Sequence, residues 1–325
     1  MQGIWLENQQ LTVRDDLSDP QPPDGEALIR VDLAGICATD LEMVKGYYPF
    51  TGVLGHEFVG TVISIPEQNS KHQDLVGKRV VGEINAACGK CASCRAGRPT
   101  HCETRSVLGI AGRQGAFAGY TTLPIENLHP VANNVSDEAA VFVEPLAAAL
   151  EIQEQIFIHP SDRVLVIGSG RLGQLIAWTL ALTGCDIQVV ARRPRQQELL
   201  LQRGIRVISA DQALVRHYDI VVEATGTPDG FHLARKAIRA RGMLVLKSTY
   251  KGDLTVNFSA IVVDEITLVG SRCGPFKPAL GLLESGIIDP RDLIDACYPL
   301  ENGQEAFEFA ARPGVLKVLL KPGFS

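Results

Sequence analysis

The chain has 325 residues, of which 46% are hydrophobic and 21% charged, a composition that is typical of a soluble globular enzyme and excludes a disordered chain. A net charge of -6 argues against a nucleic-acid partner, because phosphate backbones are bound by a surplus of lysine and arginine. No apolar run approaches the roughly 18 residues that a membrane helix needs, and the first residues lack the basic region followed by an apolar stretch that is typical of a signal peptide. We therefore expect a cytoplasmic protein without a membrane partner.

The first part of the chain, to about residue 145, is predicted to form a small β-barrel with long loops. It is rich in glycine and proline and contains short β-prone runs, such as those at 26–36 and 58–65. The length of the whole chain leaves room for a second domain with its own core.

Four cysteines inside this part follow the pattern C-x2-C-x2-C-x7-C, at Cys88, Cys91, Cys94 and Cys102. Four thiolates in one short segment, here about 85–105, can close a tetrahedral shell around Zn2+ without distant ligands. The alternatives are two disulfides or four unused thiols. Two-residue spacings would strain disulfides, and a reducing compartment disfavours them, so we predict a structural zinc site.

From about residue 161 the chain alternates strands with helical patterns, up to the apolar run 265–272, which indicates parallel βαβ units. The strand at 163–167 leads directly into the motif GxGxxG, formed by Gly168, Gly170 and Gly173. These glycines would make the tight turn, admit a pyrophosphate and let helix and sheet pack closely. The alternative is a glycine-rich turn in a Rossmann domain that binds nothing. The other predicted cofactor contacts are Arg171, Leu172, Thr225 and Arg272.

The end of the second strand of this domain predicts which nicotinamide cofactor is bound. An NAD enzyme usually carries a carboxylate there for the adenosine ribose. This chain instead has Ala191, Arg192 and Arg193, followed by Pro194, which suits the first position of a helix. Cations at a helix start are disfavoured unless an anion is bound nearby. We therefore predict NADP(H) rather than NAD(H); the alternative is a solvated basic turn.

Three further segments carry side chains that can ligate a metal or move a proton. GICATDLEM contains Cys37 and Thr39, LGHEFVG contains His56 and Glu57, and FVEPLAAAL contains Glu144. Taken singly they are ordinary, and Glu144 could simply be a carboxylate at a helix start. Together with the four-cysteine run and GxGxxG, they resemble the zinc-dependent medium-chain alcohol dehydrogenases, especially bacterial threonine, sorbitol and glucose dehydrogenases.

The resemblance covers the whole chain and implies an α/β architecture of two domains. A GroES-like β-barrel catalytic domain would comprise residues 1–150 and, after the chain returns, 273–325. A Rossmann domain with a doubly wound parallel sheet would comprise residues 151–272. The resemblance also implies a homodimer or homotetramer, built partly through the apolar strand near 265–272.

The same resemblance implies a second, catalytic zinc. Its ligands would be Cys37, His56 and Glu144, with Glu57 as an additional or exchangeable ligand, and Thr39 would accept the proton of the substrate hydroxyl. The implied reaction is hydride transfer between a small alcohol, polyol or sugar and NADP(H), interconverting alcohol and ketone or aldehyde. A zinc-free reductase would lack this ligand set, whereas a non-catalytic NADP(H)-binding sensor could retain it and remains the alternative.

Overall fold

The computed structural model describes residues 1–250 and 252–323, which divide into two compact units. One unit contains Met1–Glu144 together with the chain from Phe276, and the other contains Pro145–Pro275. The predicted boundaries at residues 150 and 272 lie within a few residues of these divisions. We refer to the two as the barrel unit and the nucleotide unit.

The strands and helices of the described residues are as follows. The strands are β1 (Gly3–Glu7), β2 (Gln10–Arg14), β3 (Glu26–Gly35), β4 (Gly52–Val53), β5 (Glu57–Ser64), β6 (Arg79–Gly82), β7 (Asn85–Ala86), β8 (Ser106–Leu108), β9 (Gly112–Arg113), β10 (Tyr120–Pro124), β11 (Leu128–Pro130), β12 (Arg163–Ile167), β13 (Asp186–Val190), β14 (Arg206–Ile208), β15 (Tyr218–Glu223), β16 (Ile238–Leu246), β17 (Thr267–Gly270), β18 (Ile294–Pro299) and β19 (Lys317–Lys321). The helices are α1 (Ala38–Val44), α2 (Ala92–Arg95), α3 (Asp137–Ala140), α4 (Val143–Gln155), α5 (Arg171–Ala181), α6 (Pro194–Leu201), α7 (Pro228–Ala237), α8 (Phe258–Val263), α9 (Phe276–Glu284) and α10 (Gly303–Ala310).

The barrel unit is built around β3, which is the longest strand and pairs with three others. It pairs antiparallel with β5, β10 and β19, so the last described strand of the chain lies beside one of the first. The main sheet has the order β11-β6-β5-β3-β19-β18, and two three-stranded sheets accompany it. Alternating burial along β3 directs apolar side chains such as Ile29 and Val31 into the core.

The nucleotide unit contains a six-stranded parallel sheet in the order β14-β13-β12-β15-β16-β17. The chain proceeds outward from β12 through β13 to β14, then returns to the other side of β12 and continues outward from β15. This reversal creates a switch point between β12 and β15, where a doubly wound sheet opens a crevice at the carboxyl ends of its strands. No helix in the ranges described above is long and apolar enough to cross a membrane.

Candidate functional site

The end of β3 places Cys37 at the start of α1. Cys37 is the N-cap residue of this helix, and its backbone N–H donates to the Asp40 carboxylate, 2.8 Å away. A carboxylate in the first turn satisfies an N–H group that a helix otherwise leaves unpaired, and it complements the helix dipole. The turn therefore fixes both the sulfur of Cys37 and the carboxylate of Asp40, which is fully buried.

His56 and Glu57 reach the same place from the start of β5. Glu57 lies opposite Gly35 in the β3–β5 ladder, so the sheet register brings it to the residues just before Cys37. The Nδ1 atom of His56 lies 3.2 Å from Oδ1 of Asp40, which leaves Nε2 as the ring nitrogen for a metal. The ligand atoms of Cys37, His56 and Glu57 all lie within 4.8 Å of one another.

The electrostatic setting of this cluster favours a cation. Burial lowers the pKa of His56, but the Asp40 carboxylate and the sulfur of Cys37 outweigh burial, so that the pKa lies well above its usual value. The surroundings therefore stabilise positive charge on a ring that is only 3% exposed. A metal ion would take the place of that proton.

Glu57 also forms a buried ion pair with Lys317, the first residue of β19. Both side chains are at most 3% exposed, and the Lys317 ammonium also lies over the Phe142 ring, 5.2 Å from its centroid. Gly35 makes room for the pair, since a Cβ at this position would lie 2.9 Å from a Glu57 carboxylate oxygen and 3.3 Å from the Lys317 side chain. One carboxylate oxygen of Glu57 is thus committed to an ammonium beside the cluster.

The structure brings together three of the four predicted catalytic-metal ligands. Glu144 is not among the side chains whose ligand atoms converge; it is half-buried in the first turn of α4. Thr39 is half-buried in the first turn of α1, two residues from Cys37. The arrangement therefore offers a thiolate, an imidazole and a carboxylate that an ammonium already holds.

The four-cysteine run forms a second cluster within the barrel unit. The four sulfurs lie within 4.8 Å of one another, with Cys91 Sγ 3.5 Å from Cys94 Sγ and 3.8 Å from Cys102 Sγ. A tetrahedron of sulfurs about 2.3 Å from a zinc has edges of about 3.8 Å, whereas a disulfide joins its sulfurs at about 2.05 Å. The spacing fits a zinc shell, and all four cysteines are unbridged. The neighbouring His101 is exposed, while Cys102 is fully buried.

The four thiols differ in how readily they lose their protons. The backbone N–H of Lys90 and further hydrogen bonds lower the pKa of Cys88 to about 6, and the backbone N–H of Cys88 lowers that of Cys102. Burial and the neighbouring thiols raise the pKa of Cys94 to about 12. The four sulfurs therefore do not all ionise unaided, and a divalent ion is what would hold four thiolates together.

In the nucleotide unit, the glycine motif lies at the switch point of the sheet. Gly168 follows β12 with a φ of +106°, and a Cβ there would lie 2.9 Å from the Thr225 side chain. A Cβ on Gly173 would lie 2.2 Å from the Gly168 carbonyl oxygen. Gly170 caps α5 without a side chain, and among the described residues nothing lies within 4 Å of where its Cβ would be. The turn thus leaves the helix N-terminus open to an anion.

The predicted cofactor residues beyond this motif follow the carboxyl ends of neighbouring strands. Arg192 and Arg193 are exposed after β13, and Arg193 caps α6 without a side-chain hydrogen bond. Thr225, after β15, donates through its backbone N–H to the buried Glu223 carboxylate at 2.7 Å. Arg272, after β17, accepts a 2.8 Å hydrogen bond at its carbonyl oxygen from Lys247 Nζ.

Several residues that hold the predicted site residues in place were not predicted from the sequence. Lys317 lies in β19, and the apolar residues that follow it predict only that this strand is buried. Glu223 and Lys247 stand at the ends of apolar strands, where a charged residue usually marks the point at which the strand becomes exposed. A charged residue within or just after an otherwise apolar strand was the available signal, because such residues are rarely buried without a partner.

Each unit matches the model of a known protein family, and the chain as a whole is similar to known dehydrogenases. The family model of the alcohol dehydrogenase GroES-like domain matches residues 23–133, and that of ketopantoate reductase PanE/ApbA matches residues 164–243. Two curated proteins are each 30% identical to this chain over 91% of it and 90% of their own length: D-arabinitol dehydrogenase 1 of Uromyces fabae and erythritol/L-threitol dehydrogenase of Mycolicibacterium smegmatis. Among solved structures, the alcohol dehydrogenase of Thermus sp. ATN1 is 30% identical, with a TM-score of 0.88 over 99% of this chain and all of that one.

The Glu57–Lys317 pair yields a stability prediction. Replacing Lys317→Met should leave a buried carboxylate without its cation and lower the free energy of unfolding by about 3–5 kcal/mol. Lys317→Arg, the control, keeps the charge and should retain most of that stability. Denaturant unfolding of the metal-loaded proteins measures the difference. A loss below about 1 kcal/mol for Lys317→Met, the value of an exposed pair, would show that this ion pair does not stabilise the barrel unit.

Proposed function

The chain belongs to the medium-chain alcohol dehydrogenase family, and we propose that it is a zinc-dependent polyol or secondary-alcohol dehydrogenase that uses NADP(H). The observation that carries this proposal is the convergence of Cys37, His56 and Glu57 at the end of β3. The likeness to arabinitol and erythritol/threitol dehydrogenases supports a polyol as the substrate class.

The residues present fit a catalytic zinc. Thiolate sulfur and imidazole nitrogen are ligands that zinc prefers, and the other ring nitrogen of His56 lies 3.2 Å from a carboxylate oxygen, a setting that is usual for metal-ligating histidines. Cys37 and His56 would hold the ion, with Glu57 or Glu144 as a further ligand. A zinc ion bound there supplies a Lewis acid that lowers the pKa of an alcohol.

The chain's own residues carry the other parts of the reaction. Thr39 has a hydroxyl that both accepts and donates a hydrogen bond, so it can take the proton of a substrate hydroxyl and pass it on. Asp40 orients the His56 ring. Lys317 restrains the Glu57 carboxylate, so Glu57 would be an additional or exchangeable ligand rather than a permanent one.

The proposed cofactor site combines the open glycine turn with the basic segment after β13. The turn would receive the pyrophosphate, with Arg171, Leu172, Thr225 and Arg272 around the dinucleotide. The guanidinium groups of Arg192 and Arg193 would bind the 2'-phosphate of NADP(H), because arginine presents several donors to phosphate oxygens at once. Neither arginine has an ion-pair partner among the described residues.

The four-cysteine cluster would hold a structural zinc, which gives two zinc ions per chain. Four thiolates close the coordination shell and leave no position for a substrate. A cytoplasmic location belongs to the same proposal, because a reducing compartment keeps the eight cysteines unbridged.

A homodimer or homotetramer is also part of the proposal. In the described part of the sheet, β17 is an edge strand, and Leu268 on it is 37% exposed. The adjacent helix α8 exposes Phe258, Val262 and Val263, each by more than 60%. An apolar sheet edge is a ready template for a second chain, and a two-fold axis would pair two such edges.

The activity test compares wild type with Cys37→Ser on a panel of polyols and secondary alcohols, following reduction of NADP+ and NAD+. We expect wild type to oxidise at least one polyol, and Cys37→Ser to lose about a hundredfold or more in kcat/KM, the scale of removing one group that stabilises reacting charge. Cys297→Ser, at an exposed cysteine of β18, is the control and should stay active. Full activity in Cys37→Ser, or none in wild type on the panel, would contradict the proposal; the latter would favour a non-catalytic sensor.

Cofactor choice is tested by the double replacement of Arg192 and Arg193 with alanine. Charge-assisted hydrogen bonds contribute about 1.5–3 kcal/mol, so kcat/KM for NADP+ should fall about 10- to 150-fold, while that for NAD+ changes little. Arg206→Ala, at an exposed arginine of β14, is the matched control for loss of charge. Equal losses with both cofactors would rule out the 2'-phosphate assignment.

The oligomer is tested by Leu268→Lys, which places a charge in the centre of β17. If two copies pair through this edge, sedimentation velocity should show the wild-type dimer or tetramer dissociating into smaller species in the variant. Ile63→Lys, at an exposed apolar residue of β5, is the control. An unchanged assembly in Leu268→Lys would exclude β17 from the interface.

A further inference from the structure

A buried network of polar side chains, two amides and one hydroxyl, lies beneath the glycine turn of the nucleotide unit. It links the segment from Gly168 to Gly170 with the first turn of α6, the helix that begins directly after Arg193. Its members are Ser169, Gln174 and Gln196, and they are at most 8% exposed. Ser169 lies between the first two glycines of the motif, whereas Gln174 and Gln196 belong neither to the motif nor to the basic pair.

Gln174 connects the two segments through a single nitrogen. Its Nε2 donates to the carbonyl oxygen of Ser169 at 3.1 Å and to the carbonyl oxygen of Gln196 at 3.0 Å. Since an amide nitrogen carries two hydrogens, each carbonyl receives one of them. Gln174 itself is fully buried on α5.

Two other hydrogen bonds reinforce the same connection. The Ser169 hydroxyl donates to Oε1 of Gln196 at 2.8 Å, so the middle residue of the turn is tied to α6 by its side chain as well as by its backbone. Nε2 of the neighbouring Gln197 donates to the Ala191 carbonyl oxygen at 2.9 Å, which ties the start of α6 to the end of β13. The basic segment is therefore anchored on both sides.

Burying the amide of Gln174 has a cost in folding free energy. Its Oε1 is buried and has no hydrogen-bond partner among the described residues. An acceptor buried without a donor destabilises a fold; a methionine or leucine would avoid that cost but would take the Nε2 donors away from the carbonyl oxygens of Ser169 and Gln196. What the amide adds is a defined distance between two backbone segments.

We propose that Gln174 and Gln196 are positioning residues that set the cofactor specificity of the proposed dehydrogenase. They fix the distance between the glycine turn, where the pyrophosphate would bind, and the basic segment, where the 2'-phosphate would bind. NADP(H) presents both phosphate groups on one semi-rigid adenosine moiety, so it needs that distance to be correct. NAD(H) lacks the 2'-phosphate and needs only the turn. The inference rests on the proposed use of NADP(H).

The test is Gln174→Met, which keeps the length of the side chain and removes both hydrogen bonds. Calorimetric titration with NADP+, NAD+ and 2'-phospho-ADP-ribose should show binding of the two 2'-phosphorylated ligands weakened about tenfold, equivalent to about 1.4 kcal/mol, and binding of NAD+ weakened by less than about threefold. The kcat at saturating NADP+ should remain near the wild-type value, because the reacting groups are untouched. If Gln174→Met folds poorly, Ser169→Ala removes a different hydrogen bond of the network. It should change the ratio of NADP+ to NAD+ affinity in the same direction.

Gln188→Met is the matched control. Gln188 is a buried glutamine of the same sheet that accepts a 3.0 Å hydrogen bond from the Tyr218 hydroxyl. Its replacement removes a buried hydrogen bond away from the network, so it should lower thermal stability without changing the ratio of NADP+ to NAD+ affinity.

The outcomes separate this inference from the proposed function. One outcome overturns the inference alone. In that outcome wild type prefers NADP+ and the double arginine variant loses that preference, but Gln174→Met and Ser169→Ala weaken the binding of NADP+ and NAD+ equally. The network would then be merely structural. If wild type prefers NAD+ or binds neither cofactor, the proposed function is overturned and the inference with it. A selective loss for the 2'-phosphorylated ligands supports both.

Discussion

The buried ion pair between Glu57 and Lys317 is the interaction on which the rest of the barrel unit depends. It joins the first residue of β5 to the first residue of β19, on either side of β3, and it lies over Gly35, where a side chain would collide with it. Two charges can be buried here only because each neutralises the other. Since Cys37 follows Gly35 by two residues and His56 precedes Glu57, the pair also fixes where the candidate metal ligands meet.

In both units the candidate functional residues lie at the ends of strands. In the barrel unit, the end of β3 and the start of β5 bring a thiol, an imidazole and a carboxylate together, while the four-cysteine cluster closes on itself within one loop. In the nucleotide unit, the carboxyl ends of β12, β13 and β15 carry the glycine turn, the basic segment and Thr225. In each case regular secondary structure fixes the backbone, and buried polar side chains such as Asp40, Glu223 and Gln174 fix the side chains or loops that would touch a ligand.

Local patterns in the sequence were enough to predict the β-barrel, the parallel sheet with its glycine turn, and the cysteine cluster, because each depends on residues close together in the chain. The convergence of Cys37 with His56 was predicted only through the resemblance to a family. Lys317 lies 260 residues from Glu57 in sequence, so no local spacing could reveal their pairing. Gln174 and Gln196 were missed for a related reason, since a buried glutamine on an amphipathic helix has no pattern that separates it from a solvated one. Glu144 remains a predicted ligand outside the converging set.

Two metal sites with different tasks are central to the proposed function, a closed one of four thiolates and an open one at Cys37 and His56. The most direct test is to measure the number of zinc ions per chain, by elemental mass spectrometry, in the purified protein and in two variants. The account predicts two zinc ions in wild type, one in Cys37→Ser and one in Cys91→Ser, with zinc absorption spectra showing only sulfur ligands in the first variant and mixed sulfur, nitrogen and oxygen ligands in the second. A single zinc in wild type, or two in Cys37→Ser, would contradict it.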